Sequence, residues 1–293
     1  MKVTATHGAP LAIIAGGGVV PLIVARAATQ AGRPVHIVGL RGEADPGIAA
    51  YPHHWQKWGE IGRLFDALRE AGTADIVVVG GITHRPDFRS IGLDFGTVKL
   101  LPEILSVMQG GDDSVLSAAI KFLERRGFRV VGAHEVARDL VADPGCLTQH
   151  RPSMNDQADA QAAAKAAEAI GRLDAGQAAV SVGGHIVALE ASEGTDMMLA
   201  RVRDLREAKR ISWRGRAGVL AKCAKPQQDL RIDMPAIGPR TIDGVAEAGL
   251  AGIFVEAGKV MLADRDAIIA RADAAGLFIL ADALPSPDSR PSR

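Results

Sequence analysis

The first 82 residues alternate continuous aliphatic runs with helix-period segments, and this alternation constrains the fold more than any other feature. Residues 11–16 (LAIIAG) read as a fully buried strand, followed by Gly17-Gly18 and an apolar-periodic helix over 20–31. Gly32 stops that helix, and Pro34 opens the strand PVHIVGL. A second helix over 60–71 ends at Gly72, before the strand ADIVVVGGI (74–82). Strands with no polar alternation, separated by helices, belong to a parallel sheet covered on both faces. Two further helices over 96–109 and 113–126 lead to a strand over 128–136, FRVVGAHEV.

Residues 138–153 carry Asp143-Pro144-Gly145 and Arg151-Pro152 with little periodicity, so they read as a linker. Beyond them the pattern restarts. A long alanine-rich helix fills 155–170, a hairpin over 178–191 turns at Gly183-Gly184, and another helix opens after Glu193-Gly194-Thr195-Asp196. A strand over 218–225, a helix over 240–249, a strand pair within 251–263, a helix over 264–275 and a strand over 277–282 complete the series. The expected fold class is therefore α/β, with an N-terminal parallel-sheet domain over 9–137 and a distinct C-terminal α/β domain over 154–283. A polar, disordered tail follows over 284–293.

A length of 293 residues agrees with about two domains. Hydrophobic residues make up 47% of the chain and aromatics 4%, so aliphatic side chains must fill both cores. Lys and Arg number 34, and so do Asp and Glu. Zero net charge removes the electrostatic attraction expected of a nucleic-acid binder and argues against a polybasic membrane anchor. Cys146 and Cys223 are isolated and fit a reducing compartment. No apolar run reaches about 18 residues, and the N-terminus lacks a signal-peptide pattern, so a cytoplasmic protein is expected.

Five places carry candidate chemistry. Ala15-Gly16-Gly17-Gly18 lies where a strand turns into a helix, the place where open α/β sheets bind ligands and a helix start offers N–H groups to phosphate. The pattern is GGGxxP rather than GxGxxG, and Gly39-Leu40-Arg41 supplies no acid at the end of the second strand, so a nucleotide or sugar fits better than a nicotinamide cofactor. A purely structural turn is the alternative. Gly80-Gly81 should lie beside this loop, with Arg85 able to clamp a phosphate or simply to face solvent. His134 closes a strand and is either a lining residue or a hydrogen-bonded structural one. His53-His54 lacks companion acids.

In the second half, Glu190, Glu193 and Asp196 place three acids within seven residues, with Thr195 or Asp196 in position to cap a helix. Lys225-Pro-Gln-Gln-Asp229-Leu-Arg231-Ile-Asp233-Met-Pro235 packs acids, cations, amides and prolines into a shaped loop. Such a set can hold a divalent metal and a phosphate together, or Asp229 and Arg231 can be a surface ion pair. Without cysteine ligands the metal would be hard and oxygen-bound, Mg²⁺ or Mn²⁺ rather than zinc.

AGGGxxP at the start, GAHEV at 132–136, IGRLDAGQAAVSVGG at 170–184, EGTDMMLARV at 193–202 and KPQQDLRIDMPAIGPRTI at 225–242 together resemble the LpxI family, over residues 9–283. That resemblance implies a UDP-2,3-diacylglucosamine diphosphatase of lipid A biosynthesis, with a Rossmann-like N-terminal domain and substrate lying between the two domains. It implies Mg²⁺-dependent cleavage to UMP and 2,3-diacylglucosamine 1-phosphate, water attacking the uridine-side phosphorus. The aspartate of the RxDxP motif falls on Asp233, with Asp196 and Asp229 as further acids; Asp233 and Asp196 would hold the metal. Lys222, Lys225 and Arg231 would screen the phosphates, with Gln228 and Thr195 beside them. Contact with the inner membrane would be peripheral, through the lipid substrate, and the resemblance leaves room for a homodimer. A non-enzymatic nucleotide-sugar binder and a pyrophosphatase for soluble nucleotide sugars are the competing readings.

Overall fold

The structure, a computed structural model, describes residues 9–82, 92, 94–107 and 112–284. The Arg85 loop and the tail beyond residue 284 lie outside them. The chain divides into two units: Met1–Arg138 with Asp229–Asp233, and Asp139–Gln228 with Met234–Arg293.

In the first unit the order is β1 (Leu11–Ala15), α1 (Val20–Gln30), β2 (Val35–Leu40), β3 (His53–Gln56), α2 (Ile61–Glu70) and β4 (Asp75–Val79). Then follow α3 (Phe95–Val107), α4 (Asp112–Glu124), β5 (Arg129–Val130) and the short α5 (Ala133–Val136). The five strands form one parallel sheet in the order β3-β2-β1-β4-β5, the order of doubly wound sheets. Central β1 is apolar at every position, and Leu11, Ala12, Ile13 and Ala15 are fully buried, because helices cover both faces. Ala12, Val38 and Ile76 pack under Leu64, Phe65 and Leu68 of α2 and Ile120, Phe122 and Leu123 of α4. Each of these Val, Leu, Ile and Phe side chains contributes about 1.5–3 kcal/mol.

At the N-terminal end of β4, Asp75 is nearly fully buried and takes the guanidinium groups of Arg33 (2.6 Å) and Arg129 (2.7 and 2.6 Å). Burial pushes its carboxyl up, but bonds to Arg129 and Arg33 reverse this and hold it below its ordinary value.

Two expectations change here, and one strand was not foreseen: His53-His54 opens the edge strand β3, which pairs in parallel with β2. The expected strand over 128–136 ends at Val130, because Glu135 accepts the Gly132 N–H (2.7 Å) and turns GAHEV into a helical start. Asp229–Asp233, expected in the second domain, belongs to the first unit. Ile232 packs against the β-sheet core there, and Arg231 binds Glu124 of α4 (2.9 Å).

The second unit contains β6 (Gly145–Cys146), α6 (Met154–Arg172), β7 (Ala178–Val182), β8 (His185–Leu189), α7 (Gly194–Glu207), β9 (Val219–Lys222) and β10 (Ala236–Ile237). It closes with α8 (Pro239–Glu247), β11 (Gly252–Glu256), β12 (Met261–Leu262), α9 (Arg265–Ala275) and β13 (Phe278–Asp282). Its six-stranded sheet runs β6-β13-β11-β9-β7-β8, with β13, β11 and β9 mutually parallel and the outer strands antiparallel.

The expected linker is not free chain. Its β6 pairs with β13, and Ala142 is buried in the core. The strands expected as a pair within 251–263 take separate partners, β11 joining β9 and β13 while β12 pairs with β10. The 178–191 hairpin is pinned by buried Asp159 of α6, which accepts Ser181 Oγ (2.7 Å) and the amides of Gly183 (2.9 Å) and Gly184 (2.8 Å). Satisfying three donors at once explains an acid inside the alanine-rich face.

Candidate functional site

In the first unit the glycine turn is committed to the protein itself. Gly16 N–H donates to Val79 O (2.9 Å), and Gly17 and Gly81 exchange two bonds (2.7 and 2.9 Å). A Cβ on Gly16 would lie 2.6 Å from Gly81 O, and one on Gly80 would lie 2.6 Å from the Gly16 carbonyl carbon. The glycines therefore permit two loops to touch backbone to backbone, as their predicted adjacency requires. Gly18, at φ +90° with open space around its Cα, and the α1 start, which has no side-chain cap, remain as the surface a ligand would meet. Ala15 is buried in β1 behind them. His134 sits in α5 with its Nδ1 buried and without a partner among the described residues; burial lowers its pKa and Glu135 opposes this. Arg85 lies outside the described residues.

The loop from Lys225 to Asp233, between Pro226 and Pro235, is a turn and not a long helix: Asp229 O accepts the amides of Ile232 (3.2 Å) and Asp233 (3.0 Å). The Asp229–Arg231 pair takes the ion-pair alternative. Arg231 donates through Nε (3.0 Å) and Nη2 (2.7 Å) to the two oxygens of Asp229, while its Nη1 reaches Glu124. This fork holds the Asp229 carboxyl below its usual range and raises the Arg231 pKa. Lys225 binds Asp174 (2.6 Å), and its amide donates to the Gln228 side chain (3.1 Å). These residues shape the loop that carries Asp233 rather than presenting their charges together.

The second unit brings Thr195, Asp196 and Lys222 into one pocket of about 470 Å³, with Glu190, Glu193, Arg240 and the Gly238–Thr241 turn also lining it. It lies at the C-terminal end of β9, where Lys222 closes the strand, and the starts of α7 and α8 both line it. Neither helix start has a side-chain cap, but Gly194 N–H donates to Ala191 O (3.1 Å), Thr241 N–H donates to Gly238 O (3.0 Å) and Pro239 has no N–H, so what the two starts offer an anion is chiefly the helix dipole. Capping by Thr195 or Asp196 is thus not what the structure shows. Thr195 instead donates to Glu190 Oε1 (2.6 Å) and accepts from Lys222 Nζ (2.8 Å). Lys222 is almost entirely buried; desolvation lowers its pKa, with Glu190 and Asp196 pulling it back. Behind it, buried Glu256 accepts the Ala224 amide (3.0 Å) and fixes the exit of β9.

Sequence reasoning missed Arg240, 3.7 Å from Asp196, and the α8 start as a whole. Gly238-Pro239 could have revealed it, because proline at the first helical position marks a helix start.

The fold and site define a two-unit α/β protein with one sheet in doubly wound order and a second that opens, at a strand end, on a pocket mixing acids and cations. Residues 10–140 match the LpxI N-terminal domain and residues 143–280 the LpxI C-terminal domain, so the chain belongs to the LpxI family. It is 43% identical over 281 residues to the UDP-2,3-diacylglucosamine pyrophosphatase LpxI of Caulobacter vibrioides, covering 96% of this chain and 99% of that protein.

Among the described residues no three His, Cys, Asp or Glu side chains gather as a metal cage. Magnesium commonly needs less, namely one or two carboxylates completed by phosphate oxygens and water. Asp196 fits that smaller set: it is half exposed in the pocket and only loosely paired with Arg240. Glu190 fits less well, being buried with each oxygen already accepting one hydrogen bond, from Thr195 and from the Gln177 amide (2.9 Å).

Proposed function

We propose that this chain hydrolyses the pyrophosphate bond of UDP-2,3-diacylglucosamine to UMP and 2,3-diacylglucosamine 1-phosphate, a step of lipid A biosynthesis. The observation that carries the proposal is the near full-length 43% identity to a pyrophosphatase of that name. The pocket's chemistry supports it. Pyrophosphate cleavage needs negative charge balanced on the transferring phosphoryl group, and Lys222, Arg240 and two uncapped helix starts offer that balance on protein dipoles and cations. Lys222 works from a poorly hydrated position, where its charge acts more strongly than in water.

Asp196 would hold Mg²⁺, or Mn²⁺, together with phosphate oxygens; the ion supplies Lewis-acid stabilisation of the phosphoryl group when bound. Asp233, in the RxDxP motif, keeps the catalytic role that the family pattern implies. No helix among the described residues is long and apolar enough to cross a membrane. Contact with a bilayer is accordingly assigned to the acyl chains of the substrate.

The test is turnover by the purified protein in H₂¹⁸O with Mg²⁺. The expected result is UMP carrying the label, abolished by EDTA, with UDP-N-acetylglucosamine left intact. Label in the lipid product overturns attack at the uridine-side phosphorus. Absence of UMP release overturns the activity.

A further inference from the structure

Glu190, Thr195 and Lys222 retain only 6%, 7% and 8% of their exposure, yet none belongs to a conventional core. Burying a carboxylate and an ammonium costs several kcal/mol each in desolvation, and apolar residues of the same size would serve stability equally well. The chain keeps both ions, and it interposes a hydroxyl between them. Thr195 Oγ has a single hydrogen, which goes to Glu190 Oε1 at 2.6 Å. Its lone pair is thereby turned toward Lys222 Nζ at 2.8 Å. Among the described residues Thr195 is the one hydrogen-bond acceptor of that ammonium, which has two more N–H groups and lines the pocket.

Glu190 is itself held rigidly. Its Oε2 accepts the Gln177 amide at 2.9 Å and its own amide donates to Ala178 O at 2.9 Å. Gly176 packs against it so closely that a Cβ there would lie 2.3 Å from Glu190 O. The carboxylate is thus anchored to the start of β7, and the ammonium to the end of β9, with the hydroxyl fixing their separation.

We propose that Glu190 is a positioning residue for phosphoryl transfer, acting through Thr195 to aim the Lys222 ammonium into the pocket. This deepens the proposed activity and rests on it for its kinetic consequence, though not for its structural one. Glu190→Gln preserves size but offers one acceptor where two donors, the Gln177 amide and the Thr195 hydroxyl, require two. The amide nitrogen then faces one of those donors, and the hydroxyl no longer holds Lys222 in place.

The experiment is a kinetic cycle of Glu190→Gln, Lys222→Met and the double variant on UDP-2,3-diacylglucosamine with Mg²⁺. Because the ammonium meets charge that grows in the transition state, Glu190→Gln should lower kcat at least about 10-fold while KM stays within about threefold. Added to Lys222→Met, it should change kcat by less than about twofold. A raised KM with unchanged kcat, or an equal loss in both backgrounds, overturns the proposal. If Glu190→Gln does not fold, Thr195→Val takes its place in the cycle, and Thr195→Ser should restore most of what valine loses.

A second readout is independent of activity: the ¹H–¹⁵N resonance of the Lys222 ammonium, assigned by its loss in Lys222→Met. It should be protected in the wild type and shifted or lost to exchange in Glu190→Gln or Thr195→Val. An unmoved resonance overturns the positioning role. If the wild type releases no UMP, the activity reading fails separately and this spectrum alone decides.

Discussion

The glycine clasp of the first unit and the charged pocket of the second occupy equivalent places, at the C-terminal ends of parallel strands, but are made of opposite materials. The clasp works by omission: with no Cβ at Gly16 and Gly80, two loops touch and satisfy one another's amides. The pocket keeps Glu190 and Lys222 buried where apolar residues would have been no less stable. A glycine run after a strand therefore signals close backbone approach first and ligand contact second. Buried, bridged charge at an open cavity is the stronger sign of chemistry.

Substitutions sharpen this contrast, beginning with Asp233, which belongs to the first unit but not to its clasp. Asp233→Ala should reduce turnover at least about 1,000-fold with the unfolding midpoint nearly unchanged, read by UMP release and thermal denaturation. Wild-type turnover would remove Asp233 from the mechanism. Lys222→Met should cost turnover about 100-fold, and a loss no greater than that of an exposed surface lysine would break the comparison from the pocket side.

On the clasp side the effects fall on stability. Gly16→Ala must push backbone apart and should cost about 2–4 kcal/mol in urea unfolding. Gly18→Ala meets no neighbour and pays only for a left-handed backbone, about 1 kcal/mol. Equal costs would mean that loop contact is not what Gly16 serves.

The smallest effects concern pH. Asp75 has a folded pKa held below 3.8, so its contribution is complete above that value and is lost as pH falls through the lowered pKa. His36 and His134, whose pKa values burial lowers from 6.5, stabilise the fold while uncharged. Their contribution is present above pH 6.5 and declines as acid drives protons onto the unfolded chain. Stability measured against pH should accordingly sag in two windows, and Asp75→Asn should shrink only the lower one, to which Asp94 and Asp229 also contribute.

Much of this architecture was readable from residues alone, where a local rule and a tertiary demand coincide. LAIIA and DIVVV are apolar at nearly every position because both sheet faces are covered, and those strands stand as expected. The edge strand at His53–Gln56 was hidden by its polarity, and β6 by its length of two residues; both exist through pairing with strands distant in sequence. At the site, Thr195 and Asp196 were legible from the acids at a helix start and Lys222 only through the family resemblance; the fold brings the three into one pocket. Arg231 and Lys225 looked equally suited to phosphate, but each meets an acid through the folded chain, Glu124 and Asp174, that no spacing rule reveals. Glu190's partnership with Lys222 spans three strands and has no linear signature.

The excursion of Asp229–Asp233 means that the polypeptide passes between the units three times, at residues 138, 228 and 233, and not once. A fragment ending at Arg138 would lack Ile232 and Arg231 and leave their places on the α4 side of the sheet unfilled. Such a fragment is expected to be less stable than one to which residues 229–233 are joined, since it forgoes both a buried aliphatic side chain and an ion pair.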